Sequence, residues 1–232
     1  TPSVVFDGGD MEGADESVPY AEDFEADYPR TKAIAEREVL AANGADLRTV
    51  ALRPHLVWGP GDTNLLPRIV DRRRRGRLRQ IGRRGKRIAP TYIDDAVSAH
   101  LAAESRLKHT EDADESPAGR AYFVTSGETI EVWEMIDRLL MAAGERPLDR
   151  RVSEGTAMLA AGALETIWRL TGRSDEPPLT RWVVRELTTS HWFSLEAARR
   201  DLGWSPRVSI EEGMRRLEAS RRGRGNDRPG AV

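Results

Sequence analysis

Strands and amphipathic helices alternate along this chain, and the alternation predicts an α/β fold: a parallel sheet with helices on both faces. Short apolar or β-branched runs fall at residues 1–6, 47–57 and 120–125, and stretches of helical period fill the intervals between them. After residue 127 the pattern turns mostly helical, which predicts a smaller second lobe. The expected division is residues 1–127 for the sheet domain, with 58–90 contributing to the lobe, then 128–222 for the lobe and 223–232 for a disordered tail.

Each element has a local reason. Thr1 to Phe6 reads as the end of an apolar strand running into the turn Asp7-Gly8-Gly9 and an acidic loop. A helix is expected from Pro29 to Asn43, closed by Gly44. Leu47 to Val57 supplies a strand, Asn64 to Val70 a helix followed by a basic connector, and Ile93 to Arg106 an amphipathic helix. Arg120 to Thr125 is a short strand. Ile130 to Ala143 has the clearest helical period, with Ile130, Trp133, Ile136, Leu139 and Leu140 on one side. Further helices are expected over 155–170, 181–188, 195–201 and 210–221. Ser194 and Ser209 stand at N-cap positions, the latter with Glu212 three residues on, and Gly203 closes the third of these helices. His109 to Gly119 is an acidic surface loop, and the glycine-, proline- and charge-rich stretch from Arg221 has no apolar period and is expected to be disordered.

Composition narrows the function classes. With no cysteine there are no disulfides or thiolate metal sites, and four histidines scattered in sequence offer no metal set. The formal net charge of −2 gives no global attraction to nucleic acid. The longest apolar run of the second half, Thr156 to Trp168, is interrupted by Glu165 and too short to span a bilayer.

The most chemically pointed feature is Tyr28 followed four residues later by Lys32 at the start of a helix. That spacing stacks both side chains on one face, so the ammonium favours the ionised phenol. A free tyrosine titrates near ~10, so serving as a base at neutral pH asks for a shift of about three units, or roughly 4 kcal/mol. A surface helix carrying an inert tyrosine and lysine is the plain alternative.

Five segments together resemble the extended short-chain dehydrogenase/reductases, and within them the 3β-hydroxysteroid dehydrogenase group with its sterol-4-carboxylate dehydrogenases and 2-alkyl-3-oxoalkanoate reductases. They are TPSVVFDG, YPRTKAIAE, ALRPHLVWGPGD, TYIDDAVSAHLAA and HWFSLEAARRDLGWSPRVSIEEGMRRL. The resemblance implies the C-terminal portion of an NAD(P)-binding Rossmann fold. It also implies a Ser/Thr-Tyr-Lys mechanism in which Thr1, or else Ser3, orients the substrate oxygen, Tyr28 exchanges its proton, and Lys32 holds the nicotinamide ribose. The turn at Pro54, with Leu56 and Val57 after it, is placed against the nicotinamide carboxamide. The glycine-rich pyrophosphate turn of such folds is not matched, since Gly8, Gly9 and Gly13 lead into an acidic loop. The chain is therefore expected to be a fragment lacking its first strands, inactive alone and weak in binding NAD or NADP.

Other positions stay ambiguous. Asn64 is as much an N-cap as a substrate contact, Tyr92 is a candidate pocket residue, and Asp94 and Asp95 read as helix-start acids without a catalytic role. The run Arg72 to Arg87 is basic at ten of sixteen positions. It reads as a solvated face, with contact to an anionic membrane or steering of a substrate carboxylate as the functional alternatives. The apolar stripe Met158, Leu159, Leu164, Ile167 and Trp168 suits a greasy substrate or plain core. The expected function is thus hydroxyl–ketone interconversion on a hydrophobic substrate, steroid or long-chain ketoacid, by a cytoplasmic enzyme, peripheral to a membrane if the arginines dock there, and paired as a homodimer. The competing readings are a nucleotide-sugar epimerase or dehydratase of the same superfamily, and a non-catalytic remnant binding an anionic surface.

Overall fold

The computed structural model describes residues 1–110, 116–173 and 175–226, with side chains described to Arg222. A 3-10 turn, Pro2–Val5, opens the chain, followed by β1 (Met11–Ala14), α1 (Asp27–Ala41), β2 (Val50–Pro54), β3 (Val57–Trp58) and α2 (Leu65–Arg74). Next come β4 (Gln80–Ile81), β5 (Arg87–Ile88), β6 (Thr91–Tyr92), α3 (Ile93–His109), β7 (Arg120–Val124), β8 (Ile130–Glu131) and α4 (Val132–Ala142). The remainder is β9 (Arg151–Val152), α5 (Glu154–Leu170), α6 (Arg181–Thr188), β10 (His191–Phe193), α7 (Glu196–Leu202) and α8 (Ile210–Asn226).

The centre of the sheet domain is the parallel pair β2–β7, in register from Val50 opposite Arg120 to Pro54 opposite Val124. Successive side chains of a strand point to opposite faces, and β7 sorts its residues that way. Tyr122 and Val124 pack with Ala99 and Ala103 of α3 and Ala198 and Leu202 of α7. Phe123 faces the other side, with Ala33 of α1, Val4 and Val5. Helices thus cover both faces. A larger core unites Trp58, α2, α4 and α8 with Ala157 and Ala161 of α5 and Val184 of α6. A separate sheet runs β1-β10-β5-β8, parallel except for the β5–β8 pair.

Several expectations change. Residues 1–6 do not form a strand: no described strand runs alongside, Pro2 has no N–H, and the chain closes on itself through Val4 N to Thr1 O and Phe6 N to Ser3 O, both 3.4 Å. The acidic segment after it contains β1, whose partner β10 lies about 180 positions away. Helix α1 begins two residues early with Pro29 in its first turn, where a missing N–H costs nothing, and its C-cap is Ala42 rather than Gly44. The strand expected over 47–57 breaks at His55–Leu56, where Leu56 takes φ 45°. Residues 130–131 pair as β8, so α4 starts only at Val132, capped by the Glu131 carboxylate, which accepts from Glu134 N at 2.8 Å. Ser209 caps α8 through Glu212 N at 3.1 Å, but Glu212 turns to Arg216 instead of closing the box. Ser194 Oγ accepts from Glu196 N at 3.3 Å, one residue earlier than a standard cap. Gly203, with φ 63°, ends α7 as expected. The stretch 221–226 continues α8; residues 227–232, and 111–115 of the acidic loop, lie outside the described residues.

The basic run is not a bare solvated face. Arg72 to Arg74 extend α2 and complement its C-terminal dipole. Arg73 reaches the carbonyls of Arg146 and Pro147 at 3.1 and 3.0 Å and the Asp149 carboxylate at 3.3 Å; Arg74 pairs with Glu145 at 2.7 Å. Farther on, Arg84 pairs with Asp137 and Lys86 with Asp10 at 2.6 Å. Exposed pairs of this kind stabilise by about 0–1 kcal/mol each, so their effect is to neutralise and direct the segment. Among the described residues no helix is long and apolar enough to cross a membrane.

One buried ion pair joins α1 to β2. Arg53 Nη2 donates to Glu36 Oε1 at 2.7 Å and Nε lies 3.1 and 3.2 Å from the two oxygens, while Tyr20 Oη donates to Oε1 at 2.8 Å. The two side chains are only 4% and 7% exposed. Two substitutions probe this packing. Glu36→Ala strands a buried guanidinium and is expected to lower unfolding free energy by about 3–5 kcal/mol in urea titration, with a hydrophobic replacement of both partners recovering most of it. Gly213→Ala is expected to destabilise by about 1–3 kcal/mol despite a helix-propensity gain of about 1 kcal/mol. A Cβ there would stand 2.6 Å from Trp58 and 2.8 Å from Tyr92.

Candidate active site

Helix α1 presents Tyr28 and Lys32 one turn apart. Tyr28 is 43% exposed and Lys32 is exposed, so the pair faces outward from the sheet domain. The Tyr28 ring meets Trp182 of α6 at 5.9 Å between centroids, tilted 48°. Trp182 has no sequence signature for this contact; only its place on an amphipathic helix was legible.

Against α1 packs the opening turn, where Thr1 Oγ1 and Ser3 Oγ lie 3.2 Å apart. The two hydroxyl candidates therefore form one hydrogen-bonded unit, Ser3 buried and Thr1 half-buried.

The end of β2 forms the third side. His55 N donates to Thr91 Oγ1 at 3.1 Å, and that oxygen lies 2.8 Å from the His55 carbonyl and 2.7 Å from the Val124 carbonyl. Thr91 thereby fastens the chain just past Pro54 to β7. Leu56, the non-glycine residue at positive φ among the described residues, then turns the backbone toward Val57. A bulky residue held there costs on the order of 1–3 kcal/mol and marks an over-determined loop.

Two further candidates have structural surroundings of their own. Asn64 occupies the N-cap position of α2, but the Asp62 carboxylate performs the capping, accepting from the N–H of Asn64, Leu65 and Leu66 at 2.7–3.0 Å. Tyr92 is 2% exposed, its ring edge-on to Trp58 at 5.3 Å, and burial pushes its phenol above the usual range. Asp94 and Asp95 divide: Asp94 meets Arg216 at 3.2 Å, whereas buried Asp95 accepts from Arg207 N and Val208 N.

Helices α5 and α6 enclose an open groove of about 620 Å³ lined by Met158, Leu159, Ile167 and Arg181. Leu159 is 78% exposed, so this part of the stripe is not core. Arg181 on its rim neighbours Trp182, the residue against Tyr28. Of the four histidines, folding brings two, His55 and His191, together with Glu186.

Comparison with known proteins follows from this geometry. A profile of the 3-beta hydroxysteroid dehydrogenase/isomerase family matches residues 1–153. A 2-alkyl-3-oxoalkanoate reductase of Stenotrophomonas maltophilia is 50% identical over 208 residues, covering 90% of this chain and 62% of the relative. A 3beta-hydroxysteroid-dehydrogenase/decarboxylase of Arabidopsis thaliana is 37% identical over 223 residues, covering 93% and 50%. The chain thus spans 62% or less of the length of these relatives. Among solved structures, gox2253 superposes with TM-score 0.64 at 24% identity, covering 92% of this chain and 62% of that one. MoeE5 in complex with UDP-glucuronic acid and NAD gives TM-score 0.61 at 22% identity, covering 96% and 63%. These likenesses show the Rossmann-type α/β fold. Replacing Thr91 by Val is expected to cost about 1–3 kcal/mol, read by urea denaturation, because it removes the buried hydroxyl that serves the His55 and Val124 carbonyls and leaves the His55 N–H only its 3.2 Å bond to the Val124 carbonyl.

Proposed function

The chain belongs to the 3-beta hydroxysteroid dehydrogenase/isomerase family, and from that premise we propose that it carries the proton-transfer half of an NAD(P)-dependent interconversion of a hydroxyl and a ketone. The observation that carries the reading is the exposed Tyr28–Lys32 pair on α1, the helix against which the turn bearing the paired hydroxyls of Thr1 and Ser3 packs.

In this reading Thr1, held by Ser3, donates its hydroxyl hydrogen to the substrate oxygen. Tyr28 delivers its phenolic proton to that oxygen as a ketone is reduced, or removes it as an alcohol is oxidised. The Lys32 ammonium stabilises the phenolate left behind and binds the nicotinamide ribose. The backbone after Pro54, at Leu56 and Val57, takes the carboxamide, and the left-handed turn at Leu56 supports this because it re-aims the peptide groups there. The bound NAD or NADP supplies or accepts the hydride. The pyrophosphate cradle is not formed by these residues: Gly8 and Gly9 lead into β1, which contains Gly13, rather than a helix N-terminus.

For the substrate we favour a 2-alkyl-3-oxoalkanoate over a sterol, supported by the 50% identity to a reductase of that name and by the apolar groove beside α6. Residues 1–127 serve the cofactor and 128–222 the substrate, with 58–90 joining the latter; the shared core of Trp58, α2 and α4 supports that division. Exposed Ile34 and Val39 on α1 support a homodimer through that helix. Exposed Arg77, Arg79 and Arg83 are where an anionic membrane would touch.

The test uses a form of the protein that also carries the upstream cofactor-binding strands. Tyr28→Phe is expected to lower kcat on 2-alkyl-3-oxoalkanoates by about 10²–10⁴-fold with NADPH binding intact, whereas Lys32→Met is expected to weaken both. Full activity of Tyr28→Phe would reject the assignment; turnover of sterols or UDP-sugars instead would move the substrate.

A further inference from the structure

His55 at the end of β2, His191 in β10 and Glu186 on α6 come from three different elements, yet one nitrogen of each ring and one carboxylate oxygen lie within 4.8 Å of one another. The surrounding hydrogen bonds determine which nitrogens these rings leave bare. His55 Nδ1 is 3.1 Å from the Ala89 carbonyl, which only accepts, so the proton sits on Nδ1 and Nε2 carries a free lone pair. His191 Nε2 is 2.8 Å from Thr189 Oγ1, and that hydroxyl already donates to the Arg185 carbonyl at 2.6 Å. The hydroxyl therefore accepts, the proton sits on His191 Nε2, and Nδ1 is bare. That bare nitrogen faces Glu186 Oε2 at 3.7 Å, beyond hydrogen-bond distance.

Two imidazoles and a carboxyl from three separate elements converge here without a hydrogen bond between them, an arrangement that a cation can complete. We infer that His55, Glu186 and His191 form a binding site for a divalent transition-metal ion of the zinc class, with a fourth position open. Two imidazoles and a carboxylate are the donor set of open tetrahedral zinc sites. Each imidazole is already oriented by an oxygen on its far nitrogen, the arrangement that sets tautomer and direction in metal-binding histidines. Zinc–ligand distances of about 2.0–2.2 Å require the donors to draw inward by roughly 1 Å. Glu186, on the outer side with 24% of its side chain exposed, gives an ion its way in.

The environment suits neutral donors. Phe6 and Phe193 wall the histidines at 4.7 and 5.7 Å between centroids. Asp10 and Lys86, which also face His191, pair with each other and are not needed as ligands. An ion held here ties α6, and with it Trp182 against Tyr28, to the strand ends beneath.

Calorimetric titration of the 232-residue chain with Zn²⁺ at neutral pH, with Co²⁺ as a spectroscopic probe, tests this. One ion per chain is expected, with a Co²⁺ ligand-field spectrum of nitrogen and oxygen donors and a raised Tm. Glu186→Gln is expected to weaken binding at least tenfold, and Thr189→Val, which removes the acceptor for His191, by about 10–100-fold. Glu186→Gln is the deciding variant, since it keeps side-chain size at a partly exposed position; its fold is checked by circular dichroism. The double variant His100→Gln/His109→Gln, away from the site, is expected to bind as the parent does. Absence of saturable binding, undiminished binding by folded Glu186→Gln, or loss of binding in the His100/His109 variant would overturn the site. Turnover plays no part in this readout, so the outcome is separate from that of the dehydrogenase reading.

Discussion

The Arg53–Glu36 pair is the constraint on which the site geometry rests. A guanidinium and a carboxylate taken out of water together persist only when their hydrogen bonds are nearly complete. Here Tyr20 supplies a further donor, and Phe123 and Tyr20 lie 5.2 and 5.6 Å from the guanidinium carbon. Tyr28, Lys32 and Glu36 are spaced by four, and such a row drifts by about 40° per step around a helix. Burying Glu36 against β2 therefore rotates Lys32 and then Tyr28 progressively outward, to the exposed edge of the helix. Arg53 also directly precedes Pro54, which confines it to extended backbone, so the ion pair and the strand end are set by the same residue.

Helix α6 is the second organising element. Within six residues it lines the apolar groove with Arg181, sets Trp182 on Tyr28, pairs Arg185 with Glu25 at 3.1 Å, and directs Glu186 at His191. Its apolar side, through Val184, belongs to the core shared with α2, α4 and α8. Any shift of that lobe is transmitted to the phenol through a ring contact and an ion pair on either side of it. The exposed Tyr28 face of α1 and the groove are thereby parts of one assembly, although they come from segments far apart in the chain.

Helices were legible because their evidence is local. Period and caps placed α6 at its observed bounds and Gly203 at the end of α7. Strands of two residues, such as β3, β6 and β9, leave no such pattern, and β1 looked like an acidic loop because its partner lies far along the chain. The turn at the N-terminus failed for a related reason: a run of β-branched residues forms a strand only when another strand offers it hydrogen bonds.

By itself the sequence determined the α/β class, the family, and the one-turn spacing of Tyr28 and Lys32, since these depend on periodicity and on motifs a few residues long. Only the tertiary structure decided that Asp62 rather than Asn64 caps α2, that Tyr92 is core, that Arg73, Arg74, Arg75, Arg84 and Lys86 of the basic run enter ion pairs, and that His55, Glu186 and His191 converge. Each of these depends on which buried or charged group finds a partner. That is settled by contacts among residues far apart in the chain, which no local pattern encodes.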